Sequence, residues 1–395
     1  MNPLNTATLL WDYRSEAFPR LPAQLLPENP EITDPVVERQ WALQLIADKG
    51  QKVGTALDQL CEIAGRSCYD SFGKGRTAPL YHAHLIEVNH GSVWEHANFT
   101  AQFTFPPAHR EAVWIHLLNR PGIHVEPTEV GARITANLRA IREWDVFTGA
   151  PVPSYSKEVL IDLRDTLKHF GNTMAPQVCP AVEFEQRSTM VNGVLVEPES
   201  AEEKWVTMFL TGSRGFTHEL VRHKYRTAVS QRSTRYVDED ESQWVDHPLG
   251  CAYIEVEKVE RAPNGEPCSL TLRQRIAHVK DTAKRTYKRT VEVLEPWLMA
   301  KGVDKFTARK QARGAARGYL GNALYTEAVF SASVAQWRRM LMQRANPAAD
   351  AEIRDVFCQA LEGLKCSRYA ADFADLALEA SPDGLGRVLA VRKNP

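Results

Sequence analysis

Along residues 99–105, FTAQFTF, apolar and polar positions alternate: Phe99, Ala101, Phe103 and Phe105 against Thr100, Gln102 and Thr104. A period of two sends the two sets to opposite faces of a pleated backbone, so a half-buried strand is predicted, ended by Pro106-Pro107. Elsewhere the period is helical. Val53, Leu57, Leu60, Cys61 and Ala64 predict a buried stripe on a helix over 53–66. A second helix is predicted over 77–90, with Leu80, Ala83 or His84, and Val88 on one side. Val206, Phe209, Leu210, Phe216, Leu220 and Val221 predict a helix within 206–226 that runs into an arginine-rich loop, a pattern weakened by Gly212 and Gly215. A long amphipathic helix is predicted over 270–296, with Leu272, Ile276, Val279, Ala283, Tyr287 and Val291 inward and seven Lys or Arg residues between 271 and 290 outward. Helices are also predicted over 304–317, 323–344 and about 348–364, the last two separated by Asn346-Pro347. Residues 192–198, NGVLVEP, predict a short hairpin strand.

Composition narrows the class. The 395 residues suffice for two or three domains, or one large domain with an insertion. Hydrophobic residues at 44% and charged residues at 25% are globular values and exclude a largely disordered or collagen-like chain. A net charge of −1 gives no global attraction to nucleic acid or anionic lipid, so any anion site must be local. The seven cysteines are odd in number and form no CxxC pair, which favours reduced thiols in a cytoplasmic compartment over a disulfide framework or a zinc site. The first twenty residues lack the pattern of a secretory signal, and no apolar run reaches the roughly 18 residues of a membrane span. Residues 1–45 are proline-rich and read as an extended arm, with a helix starting near Pro35.

Candidate chemistry concentrates in residues 213–236. Arg214, Arg222, Lys224, Arg226, Arg232 and Arg235 alternate there with Ser213, Thr217, Thr227, Ser230, Ser233 and Thr234. Guanidinium forks with hydroxyl donors suit a phosphate or the edge of a uracil-like ring. A solvated charged face is the competing reading, but Glu219 is the segment's sole carboxylate before the acidic run 238–241. His90-Gly91-Ser92-Val93-Trp94-Glu95-His96 lacks the HExxH spacing, which favours a hydrogen-bonding or capping loop over a metal site. Arg317 and Arg344 stand among apolar neighbours, either ion-paired or aimed at a ligand.

Taken in order, these segments resemble the flavin-dependent thymidylate synthases. That family carries RHR-x7-S followed by S-x-R-Y; here Arg222-His223-Lys224 is followed by eight residues and then Ser233-Thr234-Arg235-Tyr236. Upstream, Arg66-Ser67-Cys68-Tyr69 and His90-x-Ser92-x-x-Glu95-His96 match two further motifs. Downstream, Ala316-Arg317 through Leu324-Tyr325-Thr326, with Gly321 where the family has proline, then Arg344 and Glu352-Ile353-Arg354, match two more. Lys224, the extra residue before Ser233, Gln231, Ser333, Ala335, Ala348 and Asp350 depart from the family pattern, mostly on the flavin side.

The resemblance implies an α+β fold, a small, mainly antiparallel sheet flanked by long helices. It implies an N-terminal arm over 1–45, a core over 46–105 and 206–370, an inserted subdomain over 106–205 and a tail over 371–395. The implied reaction is reductive methylation of dUMP at C5, with methylenetetrahydrofolate as carbon donor and NADPH supplying hydride through FAD. Arg344 and Ser233 would be catalytic. Glu219, Arg222, Gln231, Arg232, Ser233, Thr234, Arg235, Arg317 and Arg344 would bind substrate. His90, Ser92, Glu95, Arg222, His223, Lys224, Gln231 and Arg339 would bind the cofactor, with no metal. A homotetramer with shared active sites is implied as well. A variant acting on another pyrimidine nucleotide, by methylation or hydroxymethylation, and a non-catalytic nucleotide- or nucleic-acid-binding relative stay open beside it.

Overall fold

The computed structural model describes residues 4–13, 54–72, 76–118, 120–144, 154–180, 190–240, 242–248, 257–261 and 267–392. Its strands are β1 (Thr6–Trp11), β2 (Asn98–Thr104), β3 (Ile123–Pro127), β4 (Gly131–Asn137), β5 (Asn192–Val196), β6 (Trp205–Ser213), β7 (Thr227–Gln231), β8 (Glu257–Arg261), β9 (Pro267–Thr271), β10 (Tyr325–Ser333), β11 (Leu376–Ala380) and β12 (Arg387–Val391). Its helices are α1 (Ala56–Tyr69), α2 (Ala78–Glu87), α3 (Arg110–Leu118), α4 (Leu138–Arg142), α5 (Lys157–Met174), α6 (Arg214–Leu220), α7 (Leu272–Ala300), α8 (Lys305–Ala316), α9 (Val334–Arg344) and α10 (Ala351–Lys365). The fold is α+β, with antiparallel sheets flanked by helices.

The first sheet has the order β1-β6-β10-β7, every pair antiparallel. Its two faces enter different cores. Val206, Met208, Leu210, Ala328, Phe330 and Ala332 pack with Trp337 of α9 and Phe357 and Leu361 of α10. Phe209 and Val329, pointing the other way, pack with Leu60, Cys61 and Ala64 of α1. All nine residues of β6 are buried. A strand covered on both faces reads as a near-continuous apolar run. That is why the helices expected over 206–226 and 323–344 are each a strand followed by a helix, β6–α6 and β10–α9.

The second sheet has the order β3-β4-β2-β5, with the alternating strand β2 between two strands of the segment 106–205. Phe103, Ile134, Leu163 and Leu167 share the core that also holds α1. Thr55 caps α1 through a reciprocal pair with Asp58. The helix at 78–87 turns Tyr81, His82 and Leu85 inward, not the expected Leu80 and Val88, which are 58% and 39% exposed. Helix α7 also departs from its expected stripe. Tyr287 is buried, whereas Val279 is 63% exposed. The expected helix start near Pro35 lies outside the described residues. Among the described residues, no helix is long and apolar enough to cross a membrane.

Candidate functional site

Three turns of the first sheet bring the charged residues into position. β6 ends at Ser213, whose backbone N–H and hydroxyl both donate to the buried Glu352 carboxylate, at 2.7 and 2.6 Å. The same Ser213 hydroxyl accepts from Phe216 N–H and starts α6. Helix α6 thereby carries Glu219 to the end of α9, where Arg344 Nη1 donates to Glu219 Oε2 at 2.6 Å. Arg344 Nε donates to His223 Nε2 at 2.9 Å. His223 therefore accepts at Nε2 and carries its proton on Nδ1. Burial, then the Arg344 charge, holds its pKa below the usual histidine value.

The strand β7 and the loop after it form a second group. Gln231 donates its amide to Thr217 Oγ1 at 2.8 Å. Arg232 N–H donates to the Glu327 carbonyl at 2.9 Å, and its Nε lies 3.8 Å from the buried Glu239 carboxylate. Burial raises the Glu239 pKa against the pull of Arg232 and Arg214. Arg214 is held below the usual arginine range, first by burial and then by Arg317. Arg214 Nη1 and Arg232 Nε are buried without a hydrogen-bond partner. Two guanidinium groups, Arg214 and Arg232, thus act on Glu239 with donors to spare, an arrangement suited to an added anion. Arg214 belongs to the run noticed in the sequence but not to the residues expected at the site; its burial marks it out.

The third group joins the motifs around Tyr69 and Tyr236. Ser233 N–H donates to the Cys68 carbonyl at 2.8 Å. Tyr69 meets Tyr236 edge-on at 4.9 Å, and its hydroxyl lies 3.1 Å from His90 Nδ1. Lys310 sits 4.8 Å above the Tyr236 ring, and Arg313 donates to the Tyr236 carbonyl at 2.6 Å. Thr234 is buried; Arg235 and Ser92 are exposed.

Other expected residues lie elsewhere. Glu95 is committed to Arg139 at 2.6 Å and lines a cleft with Lys224. Arg339 pairs with Glu202 at 2.6 Å and stacks over Tyr225. Arg222 is exposed, as is Arg317 beyond the end of α8. His96 is fully buried and spans Ser331 Oγ at 2.8 Å and Ser230 Oγ at 2.9 Å. Both of its ring nitrogens are therefore taken by hydroxyls, and it ties the His90–His96 turn to β7 and β10. Within one chain, Glu219, His223 and Arg344 converge, and Ser233, Arg235 and His90 lie close to Tyr69 and Tyr236; Glu95, Lys224 and Arg339 lie outside both groups.

Residues 196–366 match the family model described as thymidylate synthase complementing protein. Proteins named flavin-dependent thymidylate synthase from Mycobacterium bovis and Mycobacterium tuberculosis are 35% identical over 187 residues, which is 46% of this chain and 66% of theirs. The protein of that name from Mycobacterium avium is 34% identical over 192 residues, with the same coverage. The chain thus spans slightly less than two thirds of the length of the curated relatives it matches.

Proposed function

Taking as premise that this chain is a divergent relative of the flavin-dependent thymidylate synthases over residues 196–366, we propose that it methylates a pyrimidine nucleotide at C5, with dUMP as substrate and dTMP as product. The observation that carries this reading is the convergence of motif residues far apart in sequence: Arg344 on Glu219 at 2.6 Å and on His223 at 2.9 Å. Arg344, oriented by Glu219, would donate to the N3–O4 edge of the uracil. A fixed cation there stabilises the N3 anion and raises electron density at C5. The unpartnered donors of Arg214 and Arg232, with Ser233, Thr234, Arg235 and Arg317, would take the phosphate and sugar.

The exposed Arg222 and Lys224 of the donor-rich loop support a flavin in the same reading. FAD would be held by His90, Ser92, Glu95, Arg222, His223, Lys224, Gln231 and Arg339, drawn from more than one copy of the chain. When bound, it supplies hydride-transfer chemistry, with NADPH and methylenetetrahydrofolate as co-substrates. Assembly into a homotetramer with shared sites, and a cytoplasmic location, belong to the same proposal. The exposed Val293, Trp297 and Phe306 on α7 and α8 support assembly.

The test is direct. Purified protein should carry or take up a yellow chromophore and form dTMP from dUMP when NADPH and methylenetetrahydrofolate are supplied. Protein that stays colourless with added FAD would exclude the redox part. Turnover of UMP in place of dUMP, or a hydroxymethylated product, would move the reading to another C5 modification.

A further inference from the structure

A cavity of about 470 Å³ lies where the end of β1, the start of α1 and strand β2 meet the segment 106–205. Its wall is largely aromatic. Trp11 and Tyr13, stacked at 4.3 Å, line it together with Phe99 and Trp205. Arg226 packs 5.2 Å from the Trp205 ring but belongs to the cleft of Glu95 and Lys224, not to this cavity. Tyr369 lines the cavity too, and its ring already carries Arg368 at 4.8 Å.

The charges in the wall have one sign. Among the described residues, no Lys, Arg or His lines the cavity, whereas Glu197 and Glu203 do. Glu203 is buried and bound to Arg133 at 2.7 Å. Glu197 is exposed at the mouth and bound to Arg368 at 2.6 Å. Arg133 also holds Glu199 at 3.0 Å, so three carboxylates share two arginines and one negative charge is left over. The lining hydroxyls are engaged, Thr100 with Thr135 at 2.8 Å and Thr173 with the His169 carbonyl at 3.1 Å. Asn98 is 4% exposed, and its amide nitrogen donates to the Glu95 and His96 carbonyls, while its Oδ1 has no partner. Trp205 Nε1 is a buried donor without a partner.

We propose that this cavity binds a small organic cation, an alkylated ammonium carrying a hydroxyl or carbonyl oxygen. The ammonium lies against the aromatic wall, and the oxygen accepts from Trp205 Nε1. Aromatic faces attract a desolvated cation, and the surplus carboxylate at the mouth repels an anion. A primary ammonium brings three N–H donors that need acceptors, and this wall offers Asn98 Oδ1 alone; a fully alkylated ammonium needs none. The nucleotide, flavin, NADPH and folate of the functional reading are all anions, so this site is separate from theirs and does not depend on that reading.

Three probes with one shared hydroxyethyl group test the charge and its substitution: choline, the neutral isostere dimethylbutanol in which carbon replaces nitrogen, and the primary ammonium ethanolamine. Each is titrated into the full-length protein by calorimetry. Choline is expected to saturate one site per chain and to bind about tenfold or more tighter than either of the others. Leu195 lines the mouth and is 37% exposed, so Leu195→Arg places a positive charge there and should weaken choline about tenfold or more. Glu197→Gln and Phe99→Leu should each weaken it about threefold or more. The two variants at the exposed mouth decide the matter if Phe99→Leu does not fold. No saturable choline binding at millimolar concentration, equal binding of the neutral alcohol, tighter binding of ethanolamine, or affinity unchanged in the variants overturns the proposal.

Discussion

At the scale of single residues, Arg344 and His96 show how burial and partners decide what a side chain does. The Arg344–Glu219 pair is about one-quarter exposed, with side chains at 20% and 31%, so it adds little stability. Its importance is orientation. Arg344→Gln is expected to lower turnover by about 10²–10³, the usual cost of losing one preorganised charged donor, with unfolding free energy changed by less than about 1 kcal/mol. Steady-state kinetics and urea unfolding on one preparation check both halves. His96 is different. Burial without charge compensation lowers its pKa to about 3, and His82 is lowered to about 4 by the same cause. Both are neutral in the fold and free to take a proton when unfolded. Their contribution is complete above the unfolded value near 6.5 and is lost as pH falls from there toward 4 and then 3. Each gives a slope of up to about 1.4 kcal/mol per pH unit. The urea midpoint should therefore drop between pH 7 and pH 5, and His96→Gln should drop less over that interval.

At the scale of elements, the sheets set what the sequence pattern can reveal. Strand β2 has one residue type per face, so its alternation was plain along 99–105. β6 and β10 are buried on both faces, and their apolar runs carry no period that separates a strand from a helix. The register of the second sheet offers a sharp check. A Cβ added at Gly131 would lie 2.1 Å from the Phe103 carbonyl oxygen, a backbone atom that cannot swing aside. Gly131→Ala should destabilise by about 1–3 kcal/mol through displacement of the β2–β4 ladder. Denaturant unfolding measures the loss, and slower-protected amides of β2 becoming faster-exchanging would locate it.

At the scale of the whole molecule, the second sheet fixes how the segment 106–205 relates to the rest: its strands flank β2, and its side chains share a core with α1. The segment also supplies Trp114 and Leu118 to the cleft beside the arginine-rich loop. The apolar side chains left on α7 and α8, with Trp297 at 55% and Phe306 at 68% exposed, bear on assembly. Light scattering after gel filtration should give a mass well above the 44.4 kDa of one chain, and charged substitutions at Trp297 and Phe306 together should reduce it. A monodisperse 44.4 kDa species would remove the shared-site part of the functional proposal.

The chain's own order of residues determined the strand at β2, the amphipathic helices α7, α8 and α10, and the run of motifs from Arg66 to Arg354, because each is a local pattern whose members lie within a few turns of one another. Only the folded path decided the rest. It placed Arg344 on residues 125 and 121 positions away, buried both faces of β6, and left Arg226 with unused donors in a wall built from a distant segment. Spacing along a chain dictates which face a side chain takes, but contact across more than a hundred residues depends on how sheets and helices close around a common core.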